Sequence, residues 1–416
     1  MIQAQTNQTN TNLSLKKLKG IKPVGVKVKP EDKGKASQLI SMFDLMLEKY
    51  EFRLVEDYHN KDFEVKKNIY DELKNDFFQD FDFSDSVLQE FILRVDSENL
   101  SRRGERILGS YSGCLLEFLT EKNKLTGKRT RVYINGIGKK FNYLFWRAKH
   151  IDELIVDNFE GRDICARIAE YDGSANAVIV CNSIGGNILD YVGHGRAKVG
   201  LVASINNIVK GSDCGGVGSD GSQTGLIALI NNKGNATSET AGAGTSNLGS
   251  ILCLNSSYSE KDHPIAQNAG ISISRYQSAF ILFTYLNSRG YPLGSNGYSL
   301  PKVRPTLLSY PKLRGFQAQN NKDDKDTYKK IINLGNSMKS KTGLEIKEIL
   351  KELLKIYNPL FQKSALTFKN SCYEKVGDSY LFEKKKDCQV IPSPEQVNDV
   401  INHYNKMQEL FTEPNQ

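Results

Sequence analysis

The chain has 416 residues, 39% hydrophobic and 25% charged, the composition of a globular protein able to bury one large core or two ordinary ones. Its formal charge of +8 does not imply a nucleic-acid groove, because residues 1–35 hold eight Lys against Glu31 and Asp32, leaving only +2 for everything after them. The seven cysteines are scattered without a C-x-x-C pair, which argues for reduced thiols and against a zinc site or a disulfide framework; neither metal nor cofactor is expected.

The opening 35 residues, rich in Gln, Asn, Thr and Lys, read as a disordered cationic tail, with peripheral contact to an anionic membrane surface as its one partner role. No stretch approaches the ~18–20 apolar residues of a membrane span, and the N-terminus lacks the apolar centre of a signal peptide. The expected location is therefore the cytoplasm, or outside it by a route without a cleaved signal peptide.

From residue 36 to 110 the apolar residues fall at helical spacing, as in Leu39, Met42, Phe43 and Met46, then Val87, Leu88, Phe91 and Ile92. Ser112–Thr120 and Arg129–Asn135 read as two extended runs. Phe141–Ile151 suggests a helix, Leu154–Val156 a strand, and Gly161–Tyr171 a helix with Ile164, Cys165, Ile168 and Ala169 on one side. Val178–Val180, Lys198–Ile205, Gly225–Ile230 and Ser250–Leu254 are apolar strands, with small polar stretches at 206–225 and 231–249. A helix is expected over 271–286, turns over 290–325, helical periodicity over 326–365 and a last helix from Pro394; no internal repeat is visible. The alternation predicts an α/β fold with a mostly parallel central sheet covered by helices on both faces, spanning 111–290, flanked by helical N- and C-terminal extensions at 36–110 and 291–416.

The stretch ANAVIVCNSIGGNILD, residues 175–190, reads as strand, sharp turn and helix with Ser183 at the apex, between the small residues Cys181 and Gly185. It resembles the nucleophile elbow of the α/β-hydrolase superfamily, in particular lipase- and esterase-like members, with Cys181 where that family usually has Gly. RVYINGIG, residues 131–138, resembles the strand and Gly-rich turn that supplies an oxyanion N–H. The resemblance implies a serine hydrolase cleaving an acyl ester or thioester of a lipid-like substrate. Ser183 would attack, His263 in the loop after the last apolar strand would act as base, and Glu239, or alternatively Asp220, would orient it. The N–H groups of Ile137 and Ile184 would hold the oxyanion. The other reading left open is a catalytically inactive scaffold of that fold acting as a binding or interaction protein.

Overall fold

The computed structural model describes residues 32, 34–54, 59–79, 81–237, 241, 247–258, 282–286, 322–376 and 379–382, with single residues at 402 and 405. The α/β-hydrolase expectation is overturned: the strands form one all-parallel sheet wound into a β-solenoid of about five turns.

The winding follows from a repeat that composition hides. Val178 pairs with Val202, Val202 with Ile227 and Ile227 with Ile251, so the chain returns to register every 24 or 25 residues. At that period ELIVDNF (153–159), AVIVCNS (177–183), LVASINN (201–207), LIALINN (226–232) and SILCLNS (250–256) align, each with Asn in the sixth place. An internal repeat is therefore present. The seven-residue segment carries it most plainly; on the turn wall it survives as inward apolar residues such as Ile164 and Ile188.

Each coil begins with a long strand: β1 (Arg131–Lys140), β2 (His150–Gly161), β3 (Ser174–Cys181), β5 (Lys198–Ile205), β7 (Gln223–Ile230) and β9 (Asn247–Leu254), with β11 (Leu282–Leu286) added beyond β9. A corner leads to a second wall of shorter strands, β4 (Ile184–Gly185), β6 (Ile208–Asp213), β8 (Lys233–Thr237) and β10 (Ser257–Tyr258), stacked on the end of β2. A two-stranded antiparallel pair, β12 (Tyr373–Val376) and β13 (Ser379–Phe382), stands apart.

The third wall is neither strand nor helix. Residues 141–149, 162–173, 186–197 and 214–222 form runs of turns in which about every second residue has positive φ, among them Cys165 (56°), Arg167 (59°), Ala169 (57°) and Tyr171 (49°). These left-handed residues send their N–H groups alternately to the preceding and the following coil: Cys165 N–H to Leu144 O at 2.9 Å, Arg167 to Asp190 O at 2.7 Å, Ala169 to Ala148 O at 2.7 Å, Tyr171 to His194 O at 2.8 Å. The helices expected over Phe141–Ile151, over Gly161–Tyr171 and after Ser183 are thus absent. Ile164, Cys165 and Ile168 point inward, as do Ile188, Leu189 and Val192, and this i, i+1, i+4 spacing imitates the apolar stripe of a helix. The loose stretch at 206–225 contains β6 and a turn run, and the one at 231–249 contains β8. Residues 282–286 of the expected 271–286 helix are strand β11, the rest of it lying outside the described residues.

Helices close the solenoid at one end and along one side. The N-terminal set is α1 (Lys35–Tyr50), α2 (His59–Glu72), α3 (Asp85–Arg94) and α4 (Arg102–Leu125), so Ser112–Thr120 is helical, not extended. Helix α4 lies on the first turn run. A Cβ on Gly109 would stand 2.4 Å from Tyr143 O and one on Gly113 2.6 Å from Trp146 O, so glycine spacing along α4 lets helix and coil backbones touch. Ser112 Oγ accepts from Phe145 N–H at 3.0 Å, and Arg162 pairs with Glu105 at 2.6 Å. This covers the apolar end of the coil stack, as a terminal cap must.

On the long-strand wall, residues alternate between the interior (Val178, Val180, Val202, Ile227, Leu229) and the outer face (Ala177, Ile179, Leu201, Ala203, Leu226, Ala228). The outer face is buried under α5 (Lys322–Ser337) and α6 (Gly343–Cys372), through Ile331, Met338, Ile346, Leu350, Leu353 and Tyr357. That double burial is why these strands read as continuous apolar runs. The last helix expected from Pro394 falls on residues outside the description except Asn402 and Asn405.

Candidate functional site

Ser183 sits at the corner after β3, not at the head of a helix. The strain falls one residue earlier: Asn158, Asn182, Asn206, Asn231 and Asn255 all have φ between 52° and 58°. Asn tolerates that left-handed corner better than most side chains, which explains its recurrence. Outside, the amides form a ladder, Asn206 Nδ2 to Asn182 Oδ1 at 3.1 Å and Asn231 Nδ2 to Asn206 Oδ1 at 2.8 Å. The same amides donate to Lys341 O, Met338 O, Gly335 O and Ile332 O from Asn182, Asn206, Asn231 and Asn255 respectively. Ile332 and Gly335 are in the last turns of α5 and Met338 and Lys341 in the turn that follows it, so along this segment every third carbonyl meets one coil, three helical residues advancing ~4.5 Å against a strand spacing of ~4.8 Å.

Inside, the next residue in each coil accepts from the coil before it. Phe159 N–H reaches Ser183 Oγ at 3.2 Å, Ser183 N–H reaches Asn207 Oδ1 at 2.8 Å, Asn207 N–H reaches Asn232 Oδ1 at 2.9 Å, and Asn232 N–H reaches Ser256 Oγ at 3.1 Å. Ser183, 1% exposed, spends its own proton on Cys181 O at 2.9 Å. Its hydroxyl is a corner brace.

The other expected site residues do not gather around it. Ile184 is paired in β4 with Glu160 and Ile208, and Ile137 N–H is taken by Asn135 Oδ1 at 2.9 Å on an exposed bulge of β1. Asp220 lies on the turn wall. Glu239 and His263 lie outside the described residues, as does the basic segment before residue 31.

Near Asp220 the turn wall brings together Ser219, His194 and a carboxylate, the residue types of a hydrolytic triad, but in another order. His194 Nδ1 is 2.7 Å from Ser219 Oγ and 3.5 Å from Asp220 Oδ2, so serine and acid compete for one nitrogen instead of flanking the ring. Ser219 Oγ donates to Gly216 O at 2.8 Å, which makes it the acceptor from His194. The pair locks the imidazole in place.

Around it lies a row of rings: Phe63 to Tyr171 at 6.0 Å, Tyr171 to His194 at 5.6 Å, and His194 to Tyr191 at 5.6 Å, with the Arg167 guanidinium 4.7 Å above Tyr191. Each tyrosine packs against the glycine one coil further on. A Cβ on Gly195 would come within 2.8 Å of the Tyr171 ring, and one on Gly216 within 2.6 Å of Tyr191. Formal charges balance: Arg147 and Arg167 hold Glu170 at 2.7 and 2.5 Å, Arg196 holds Asp172 at 3.1 Å, and Asp220 faces His194. Sequence reading missed this row because the winding brings Tyr171 beside His194 one coil on, and the packing of α2 brings Phe63 to Tyr171 across more than 100 residues.

Among the described residues no group of three or more His, Cys, Asp or Glu side chains is arranged to hold a metal ion, and no helix is long and apolar enough to cross a membrane. Comparison with known proteins returns no match, neither to a family model, nor to a curated protein, nor to a solved structure.

Proposed function

We propose that the protein is a binding module on a rigid β-solenoid, its recognition surface the ring-lined turn wall. One observation carries this reading. Tyr171 is 45% exposed and holds φ at 49°, a conformation that costs a non-glycine residue about 1–2 kcal/mol, at a place where the next coil has Gly195. Phe63, His194 and the backbone at Gly195 hold the ring, which still turns nearly half its surface to solvent, so the strained position presents a fixed aromatic side chain. The hydroxyl and carboxyl groups with reactive potential are used differently: Ser183 braces a corner, and Asp157 accepts from Tyr133, Asn182 and the Gly343 N–H at the start of α6.

A fluorophosphonate probe tests the reading against ester hydrolysis. The native protein is expected to stay unlabelled, and Ser183→Ala to lower stability by about 1 kcal/mol through the orphaned Phe159 N–H. Labelling that disappears in Ser183→Ala would overturn the proposal.

A further inference from the structure

We propose that an apolar groove on the N-terminal helices takes the chain's own residues 21–29, with Val24, Val26 and Val28 seated in it and the lysines on its acidic rim. This contact is separate from the turn wall and does not depend on the binding reading.

Helix α1 buries Leu39, Phe43 and Met46 in the core. Its other side leaves Gln38, Ser41, Met42 and Leu45 beside Phe77, from the wide turn after α2, and Phe81. The hollow between them is about 500 Å³. Met42, Phe77 and Phe81 are only partly buried and Leu45 is 52% exposed, so its floor is apolar surface left to water. Covering such a floor with a few branched apolar side chains is favourable.

The chain enters the described fold at the end of this groove. Asp32, 4% exposed, accepts from the Ser84 hydroxyl at 2.6 Å and from Lys35 at 2.9 Å, which fixes the point from which residues 1–31 depart. From Asp32 back to Val28 an extended chain covers ~13 Å, and α1 advances ~10 Å from Gln38 to Leu45. The valines therefore reach the groove without a spacer. So short a tether makes the docking intramolecular, at an effective concentration on the order of millimolar.

Pattern and charge both match. In IKPVGVKVK, residues 21–29, an extended chain puts Val24, Val26 and Val28 on one side and Lys27 and Lys29 on the other. Pro23 and Pro30 bias the lysines before them, Lys22 and Lys29, toward that extended backbone. On α1, Asp44 and Glu48 continue the face of Ser37 and Ser41 at helical spacing, and Asp76 precedes Phe77. None of these three carboxylates forms an ion pair among the described residues, whereas the neighbouring Lys35, Lys49 and Arg94 are matched by Asp32, Glu72 and Glu90. The rim is thus net acidic. It suits lysines whose stems lie along apolar surface while their ammonium groups stay in water.

Amide hydrogen exchange on the full chain tests the contact, with a synthetic peptide of residues 20–31 as the unprotected reference. The amides of Val24, Val26 and Val28 are expected to exchange roughly tenfold or more slowly in the protein than in the peptide. Leu45→Asp, at an exposed position, should return them to the peptide's rate while the amides of α1 keep their own. Val26→Asp reads the same contact from the segment's side and should release Val24 and Val28 with every helix intact. Asp44→Lys with Glu48→Lys should reduce the protection, and so should molar salt. Valine amides that exchange at the peptide's rate in the native protein, or protection that survives both Leu45→Asp and Val26→Asp, would overturn the proposal. Protection that disappears on dilution would assign the groove to the segment of a second copy and overturn the intramolecular docking.

Discussion

The long-strand wall and the turn wall are built from the same coils at the same period, yet they satisfy the backbone in opposite ways. Along the strands the left-handed residues are confined to the bulge of β1 and the Asn corners, both faces of the central strands are buried, and α5 and α6 supply the cover. Along the turns about every second residue is left-handed, the outer face is covered by α4 only on the first run and is partly open to solvent beyond it, and hydrogen bonds to both neighbouring coils hold the strain. The contrast teaches where each wall has freedom. Strand-wall side chains are constrained on two sides by packing, whereas turn-wall side chains are constrained by backbone and offer their tips to solvent.

The sharpest break of the strand wall is at Tyr357, fully buried on α6 with its hydroxyl 2.7 Å from Ser250 Oγ. Tyr357→Ala should cost about 3–5 kcal/mol by denaturant unfolding, and Tyr357→Phe only about 1 kcal/mol. If the alanine variant unfolds at the native midpoint, α6 contributes no cover.

Glycine substitution then compares the walls directly, with opposite signs expected. Ala203→Gly, on the outer face of β5, should lose about 0.5–1 kcal/mol in backbone entropy. Arg196→Gly, at φ 53° on the turn wall, should leave the protein unchanged or up to about 1 kcal/mol more stable, since the exposed pair with Asp172 contributes little. Equal losses at both sites in thermal unfolding would show that the left-handed residues are not strained.

The smallest effect concerns pH. Thr342 and Glu345 form a capping box at the start of α6, Thr342 N–H to Glu345 Oε2 at 2.9 Å and Glu345 N–H to Thr342 Oγ1 at 3.4 Å. The Thr342 N–H, then Lys341 and the Thr342 hydroxyl, pull the Glu345 carboxyl from 4.5 down to about 2. Because the folded value is the lower one, this stabilisation is complete above pH 4.5 and is lost as pH falls toward 2. Glu345→Gln should flatten that part of the thermal midpoint against pH; an unchanged slope would remove Glu345 from the cap.

Several elements are legible in the residues alone. Val178–Val180, Lys198–Ile205, Gly225–Ile230 and Ser250–Leu254 are strands because β-branched apolar runs bounded by small polar residues have few other uses, and the helices at 36–110 and 326–365 follow from their 3.6-residue spacing. The turn wall was not legible, since Ile164, Cys165 and Ile168 carry helical spacing on a backbone that is not helical. Ser183 misled for a related reason: small residues around a serine after a strand suit a strained nucleophile and a coil corner equally, and the hydrogen bonds that tell them apart come from Phe159 and Asn207, one coil away on each side.

What the sequence determines by itself is local: the apolar strands at 178–180, 198–205, 225–230 and 250–254, and the helical character of 36–110 and 326–365. What only the tertiary structure decides is the winding. The apolar runs suit helices on both faces of an open sheet as well as they suit an inner core and an outer helical cover. The choice rests on Asn182, Asn206 and Asn231 finding one another, and the carbonyls of α5 and the turn after it, at the same spacing. That match joins groups 24 and more than 100 residues apart, a separation that no local pattern encodes.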